Sequence, residues 1–129
     1  RNLEMDTLNA RMSEGLYRTS KERREDPTLE FLYRSAGPVW YRGMVCTDEK
    51  YDPLTPEQTD ALLRRYDADR LLIGHTIFPD ISTFHDGRVI AVNVQNERNR
   101  RKNRGRAVLI EGSRISVVGN RGVKRVLEE

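Results

Sequence analysis

The hydrophobic pattern of this chain changes period once, near Arg70, and that change limits what it can fold into. Before it, apolar side chains recur at helical spacing. Met5, Leu8, Met12 and Leu16 are three or four positions apart and share one helix face. Asp26-Pro27 pairs a capping carboxylate with a first-turn proline, the start of a shorter helix through Leu29, Phe31, Leu32 and Tyr33 that Gly37-Pro38 ends. Thr55-Pro56-Glu57-Gln58 is a capping box, and Leu62, Leu63 and Tyr66 give that helix its expected buried face. After Arg70 the apolar runs are short. Leu71-Leu72-Ile73 reads as a strand buried on both faces. Ile81 to Phe84 and Val89 to Val94 flank Asp86-Gly87, a hairpin signal. Ala107 to Ile110 and Ile115 to Val118 flank Glu111-Gly112-Ser113, and Val123 to Leu127 reads as a last strand. The fold class expected is therefore α/β in the α+β sense: a helical first half, a helix–strand unit, then antiparallel hairpins, giving a mixed sheet with helices packed on it.

With 129 residues the chain suits one domain. It has no run of some 18 apolar residues, so no transmembrane helix is expected. Cys46 is the only cysteine, which excludes a disulfide framework and suits the cytoplasm. The opening Arg1-Asn2-Leu3-Glu4 is neither an initiator methionine nor a signal peptide, and the chain is expected to be cut from something longer. The net charge of +3 is unevenly spread, because Arg98, Arg100, Arg101, Lys102, Arg104 and Arg106 fall within nine positions. That run is expected to be a solvated loop between two strands; the functional alternative is that it draws polyanionic or phosphorylated substrates toward a nearby rim.

Few residues look placed for chemistry. Gly74-His75-Thr76 follows the apolar run, where a strand would end, and ligands of α/β sheets bind at the carboxyl ends of strands. Gly74 would let another group approach the backbone. His75 suits a divalent metal, or simply caps the strand through a hydrogen bond, and both readings stay open. Thr76 can bind a ligand or cap the strand end. Arg42, in Val39-Trp40-Tyr41-Arg42-Gly43, can clamp a phosphate, or stack on Trp40 or Tyr41. That segment reads as extended, with Trp40 as core or pocket wall, and Val45 to Pro53 as a surface loop. Asn93 ends a strand near the expected rim of His75. His85 lies in the predicted hairpin turn and is set aside as a ligand.

Taken in order, Gly37-Pro38-Val39-Trp40-Tyr41-Arg42-Gly43, Leu71-Leu72-Ile73-Gly74-His75-Thr76, an Asp-Gly hairpin and Ala91-Val92-Asn93 resemble the last part of calcineurin-like metallophosphoesterases, in their bacterial Ser/Thr-protein-phosphatase-like branch. The resemblance runs from about Leu3 to Val118. It implies a partial calcineurin-like β-sandwich, residues 1–129 forming the C-terminal part of one domain. It further implies a phosphoesterase using two divalent metals (Mn, Fe or Zn) and a bridging hydroxide, with His75 a ligand and Arg42, Thr76 and Asn93 near the substrate. The family's Asp-x-His, Gly-Asp-x-x-Asp and Gly-Asn-His motifs do not occur here. On this reading they belong to a missing N-terminal half, the isolated chain is close to inactive, and its uncovered sheet invites oligomerisation. The competing reading is a small module that binds nucleic acid or acidic partners through residues 98–106. The absence of an aromatic side chain from that run makes nucleic acid the weaker choice.

Overall fold

The structure is a computed structural model and describes residues 4–128. Arg1-Asn2-Leu3, part of the reading of the chain's opening, lie outside the described residues. The class is mixed α and β, as the change of period at Arg70 implies. The chain divides into two compact units, Arg1–Pro53 and Leu54–Glu129, each described by itself.

The first unit is helical: α1 (Met5–Leu16), α2 (Ser20–Glu25) and α3 (Pro27–Tyr33). Helix α2 opens on a reciprocal capping box. The Thr19 hydroxyl accepts from the Glu22 N–H at 3.3 Å, and the Glu22 carboxylate accepts from the Thr19 N–H at 2.7 Å. Asp26 caps α3 by accepting from the N–H groups of Thr28 (2.9 Å) and Leu29 (3.1 Å), and its other oxygen pairs with Arg11 of α1. Leu29 and Leu32 are fully buried. The expected apolar face of α1 is only partly covered, with Met5 and Leu16 exposed. Its close contact is Gly15, where a Cβ would lie 2.3 Å from the Tyr33 ring. The Tyr33 hydroxyl donates to the Met12 carbonyl at 2.6 Å.

The segment expected to be extended is instead two successive turns. Trp40 and Tyr41 both donate their N–H to the Gly37 carbonyl, and Val45 and Cys46 donate to that of Arg42. Gly37 packs so tightly against the last carbonyls of α3 that a Cβ would sit 2.1 Å from the Phe31 oxygen. Trp40 is half exposed rather than core. A single 3-10 turn, Glu49–Tyr51, interrupts the expected loop.

The second unit holds α4 (Pro56–Arg65), β1 (Leu71–Ile73), β2 (Ser82–Phe84), β3 (Val89–Ala91), α5 (Asn96–Arg101), β4 (Arg106–Glu111), β5 (Arg114–Gly119) and β6 (Gly122–Glu128). The Thr55–Gln58 capping box starts α4 as expected, and Leu63 is buried, but Tyr66 is half exposed. Instead of one mixed sheet there are two small ones. The order β1-β3-β2 joins β1 to β3 in parallel and β2 to β3 antiparallel, and β4-β5-β6 is an antiparallel meander. Ile81, Ile90, Val94, Ile115 and Val117 form a buried cluster drawn from both sheets or their flanks.

Two expectations are corrected here. Strand β1 is not buried on both faces: it lies at the sheet edge, Leu72 is 45% exposed, and the fully buried strand is the central β3. The basic run does not begin as a loop, since its first half is α5, supported by a Glu97–Arg101 pair at i,i+4 (3.0 Å).

Candidate functional site

The carboxyl ends of the parallel strands β1 and β3 gather three of the four residues singled out above. The Val92 N–H donates to the Ile73 carbonyl (2.9 Å), extending the parallel ladder one step past β1. The Phe78 N–H then donates to the Asn93 carbonyl (2.9 Å), and Phe78 bridges Val94 in parallel. Residues 74–77 are thus pinned at both ends to neighbouring positions of one segment, and must loop outward between them. The loop closes as a γ-turn: the Thr76 N–H donates to the Gly74 carbonyl at 2.8 Å, and His75, at its centre, has φ of +67°. A residue with a Cβ is strained in that conformation, and the positive-φ γ-turn is rare. Strain of this kind persists only where the surroundings impose it, and it clusters at functional sites.

His75 is exposed, and Thr76 and Asn93 are half-buried beside it. Gly74 is not required for close packing, because a Cβ there would meet nothing within 4 Å. His85 belongs to the β2–β3 turn at φ of +52°, its carbonyl accepting from the Arg88 N–H at 3.1 Å.

Arg42 belongs to the first unit. Its guanidinium lies over the rings of Trp40 (5.8 Å) and Tyr51 (5.5 Å), so the stacked alternative is the geometry found, with Tyr51 in place of Tyr41. Among the described residues, no group of three or more His, Cys, Asp or Glu side chains is gathered so as to hold a metal ion. These residues do not by themselves fit a metal centre, because His75 is a single donor.

Next to the pinned loop is a concavity of about 560 Å³. One wall is Ile77 to Asp80, and the other is Gln95, Arg98, Asn99 and Lys102 of α5 and its start, with Arg104 and Arg106 leading into β4. Arg106 is the structural member. Its side chain is only 16% exposed, its Nε sits 3.2 Å from Asp80 Oδ1, and it donates to the carbonyls of Arg104 (3.1 Å) and Gly105 (2.9 Å). Sequence reasoning placed the cations near the rim but missed this wall. The Glu97/Arg101 spacing was the available signal for α5.

Comparison with known proteins supports the fold assignment and overturns the family. Solved structures described as cold-active protein tyrosine phosphatases match nearly the whole chain. One gives 22% identity and a TM-score of 0.73 over 96% of this chain and 34% of its own. The phosphatase of a psychrophilic Shewanella species, and a point mutant of the cold-active enzyme, each give 23% and 0.74 over 97% of this chain and 35% of theirs. The chain therefore spans about a third of the length of the structures it matches, and at these identities the likeness is one of fold. No protein-family model matches the chain, and no curated protein matches it. The resemblance to calcineurin-like metallophosphoesterases is corrected accordingly: the structures that match are described as tyrosine phosphatases, and the metallophosphoesterase family is not assigned. Gly-His-Thr after an apolar strand specifies a strand end and a turn, which is too little to define a family. No described helix is long and apolar enough to cross a membrane.

Proposed function

We propose that this chain is part of a phosphatase and presents His75 to a phosphomonoester at the carboxyl edge of the β1/β3 pair. The observation that carries the reading is the exposed imidazole, held at positive φ by backbone bonds on either side of its loop. The fold likeness to protein tyrosine phosphatases makes phosphoester hydrolysis the reaction to test first, with a phosphoprotein as the substrate of choice. Water forms the new bond to phosphorus, releasing a proton to solvent, and the ester P–O bond breaks. The departing oxygen takes a proton from the His75 side chain, acting as general acid. The Thr76 hydroxyl and the Asn93 amide are donors suited to the phosphoryl oxygens. The two divalent metals implied by the sequence resemblance have one candidate ligand here, His75, and no step is routed through them.

The test is hydrolysis of p-nitrophenyl phosphate by the protein that carries this chain, with and without EDTA. His75→Ala is expected to lower kcat about 100-fold, the usual scale for a positioned acid or base. Full turnover in that variant refutes the assignment, and loss of activity in EDTA would give His75 a ligand's role instead. The basic-module reading is weaker, since α5 carries no aromatic side chain on which bases would stack. Self-association through the second sheet, where Ile110 and Val123 are exposed, is also a proposal, tested by light scattering.

A further inference from the structure

The concavity beside the His75 loop holds more positive charge than the fold uses. Arg101 is paired with Glu97, and Arg106 with Asp80, the only carboxylate in the walls. The side chains of Arg98, Lys102 and Arg104 form no ion pair among the described residues, yet all three line the same 560 Å³ space. Like charges held together repel one another, and a bound anion would relieve that repulsion. The space is also built. The mostly buried Arg106 ties Asp80 to the carbonyls of Arg104 and Gly105, and Asp80 in turn accepts from the Ile81 N–H at 2.8 Å. Those bonds fix the wall that the free cations face.

Its position relates it to the proposed reaction. Ile77 is two residues from His75, and Gln95 is two residues from Asn93. An extended chain covers at most about 7 Å in two residues, so the concavity begins within that distance of both.

We propose that this concavity is a substrate subsite for an anionic side chain next to the phosphorylated residue, so that the preferred substrate is an acidic phosphopeptide. The inference rests on the phosphatase reading for what sits at His75, but the subsite can be tested by binding alone. A carboxylate in it accepts charge-assisted hydrogen bonds from the guanidinium or ammonium groups of Arg98, Lys102 and Arg104. Extended peptide geometry puts that carboxylate about two to four residues from the phosphorylated one. The apolar wall of Ile77, Phe78 and Pro79 accommodates the peptide's intervening methylenes.

The experiment is fluorescence anisotropy of the protein that carries this chain with labelled peptides: phosphotyrosine flanked by Asp and Glu, the same phosphotyrosine flanked by Ala, and the acidic peptide with unmodified tyrosine. A single-stranded oligonucleotide of equal charge serves as competitor. The acidic phosphopeptide is expected to bind at least about tenfold more tightly than the Ala-flanked one, the scale of one hydrogen bond to a charged group. The triple variant Arg98→Gln, Lys102→Gln, Arg104→Gln should lose that preference. Arg101→Gln, outside the lining, should keep it. All four side chains are exposed, so the variants are expected to fold. An equal preference in wild type and triple variant overturns the proposal, and so does an oligonucleotide that competes as well as the acidic peptide. If the acidic peptide binds through these cations whether or not its tyrosine is phosphorylated, the subsite stands and the phosphatase reading loses support.

Discussion

Replacing His75 by glycine should leave the protein more stable than replacing it by alanine, with the proposed site disabled in both, and the size of the difference follows from the backbone. His75 has φ of +67° in a turn closed by a 2.8 Å bond from Thr76 to Gly74. Left-handed backbone costs an L-residue about 1–2 kcal/mol because its Cβ crowds the following carbonyl. Glycine escapes that cost but loses about 0.5–1 kcal/mol more conformational entropy on folding than alanine does. Alanine keeps the Cβ and removes the ring, so it is the proper reference. Subtracting the entropy from the relief leaves His75→Gly ahead of His75→Ala by about 0.5–1 kcal/mol. For a chain of this size that is a difference of about 3 °C in Tm. Urea and thermal melts followed by far-UV circular dichroism would read it. Gly74→Ala serves as a control, since its Cβ would enter open space and its φ is not positive, so stability should barely change. Equal stability of the Gly and Ala variants at position 75 would mean that the turn is not strained. Strain at His75 would then give no ground for a functional role.

Two further perturbations test the cap of α3 and the packing of β5. Asp26 has its pKa lowered to about 2, first by the hydrogen bond from Arg11 and then by the N–H groups it caps. Its contribution to stability is therefore present above about pH 4, the unfolded-state value, and is lost as pH falls through about 2. Wild type should accordingly outlast Asp26→Ala in thermal melts at pH 6, with the gap closing at pH 2; a gap that persists at pH 2 would show that Asp26 acts by other means. Ser116 is buried in β5, and its hydroxyl has no hydrogen-bond partner among the described residues. Ser116→Ala should stabilise the protein by about 1 kcal/mol in urea denaturation, the lower end of the cost of an unsatisfied buried polar group, and a destabilised variant would point to a bound water.

Features carried by adjacent residues were legible in the sequence. The Thr55–Gln58 box, the Asp26-Pro27 start and both hairpins follow from side chains acting within a few positions of themselves. Thr19–Glu22 is the same kind of signal, set within a run of cations from Arg18 to Arg24. What could not be read depends on distant partners. Leu71-Leu72-Ile73 and Val89-Ile90-Ala91 are equally apolar, and only the strand order makes one an edge and the other the buried centre. The conformation of His75 is likewise set by bonds to Val92 and Asn93, far along the chain. The sequence singled out His75 for its place at a strand end, but the strain that distinguishes it from a plain capping histidine is a property of the pairing.

Placing the candidate site on an edge strand explains how such strain is tolerated. Strand β3 is buried along its length and carries the core residue Ile90, so it holds its position without help from β1. Strand β1 adds a parallel partner of three residues, one of them largely exposed, and the loop after it rejoins through Phe78 and the Asn93 carbonyl. A cost of about 1–2 kcal/mol in that loop is borne by two backbone hydrogen bonds to a rigid neighbour and leaves the central packing undisturbed. The cations of α5 and the following turn sit at the same end of that neighbour, because Val94 bridges Phe78 two residues before the helix begins. The short segment from Val92 to Asn96 thus positions both the strained imidazole and the basic concavity. A substitution that shifts Val94 should weaken catalysis and anion binding together, whereas one confined to Arg98, Lys102 and Arg104 should separate them.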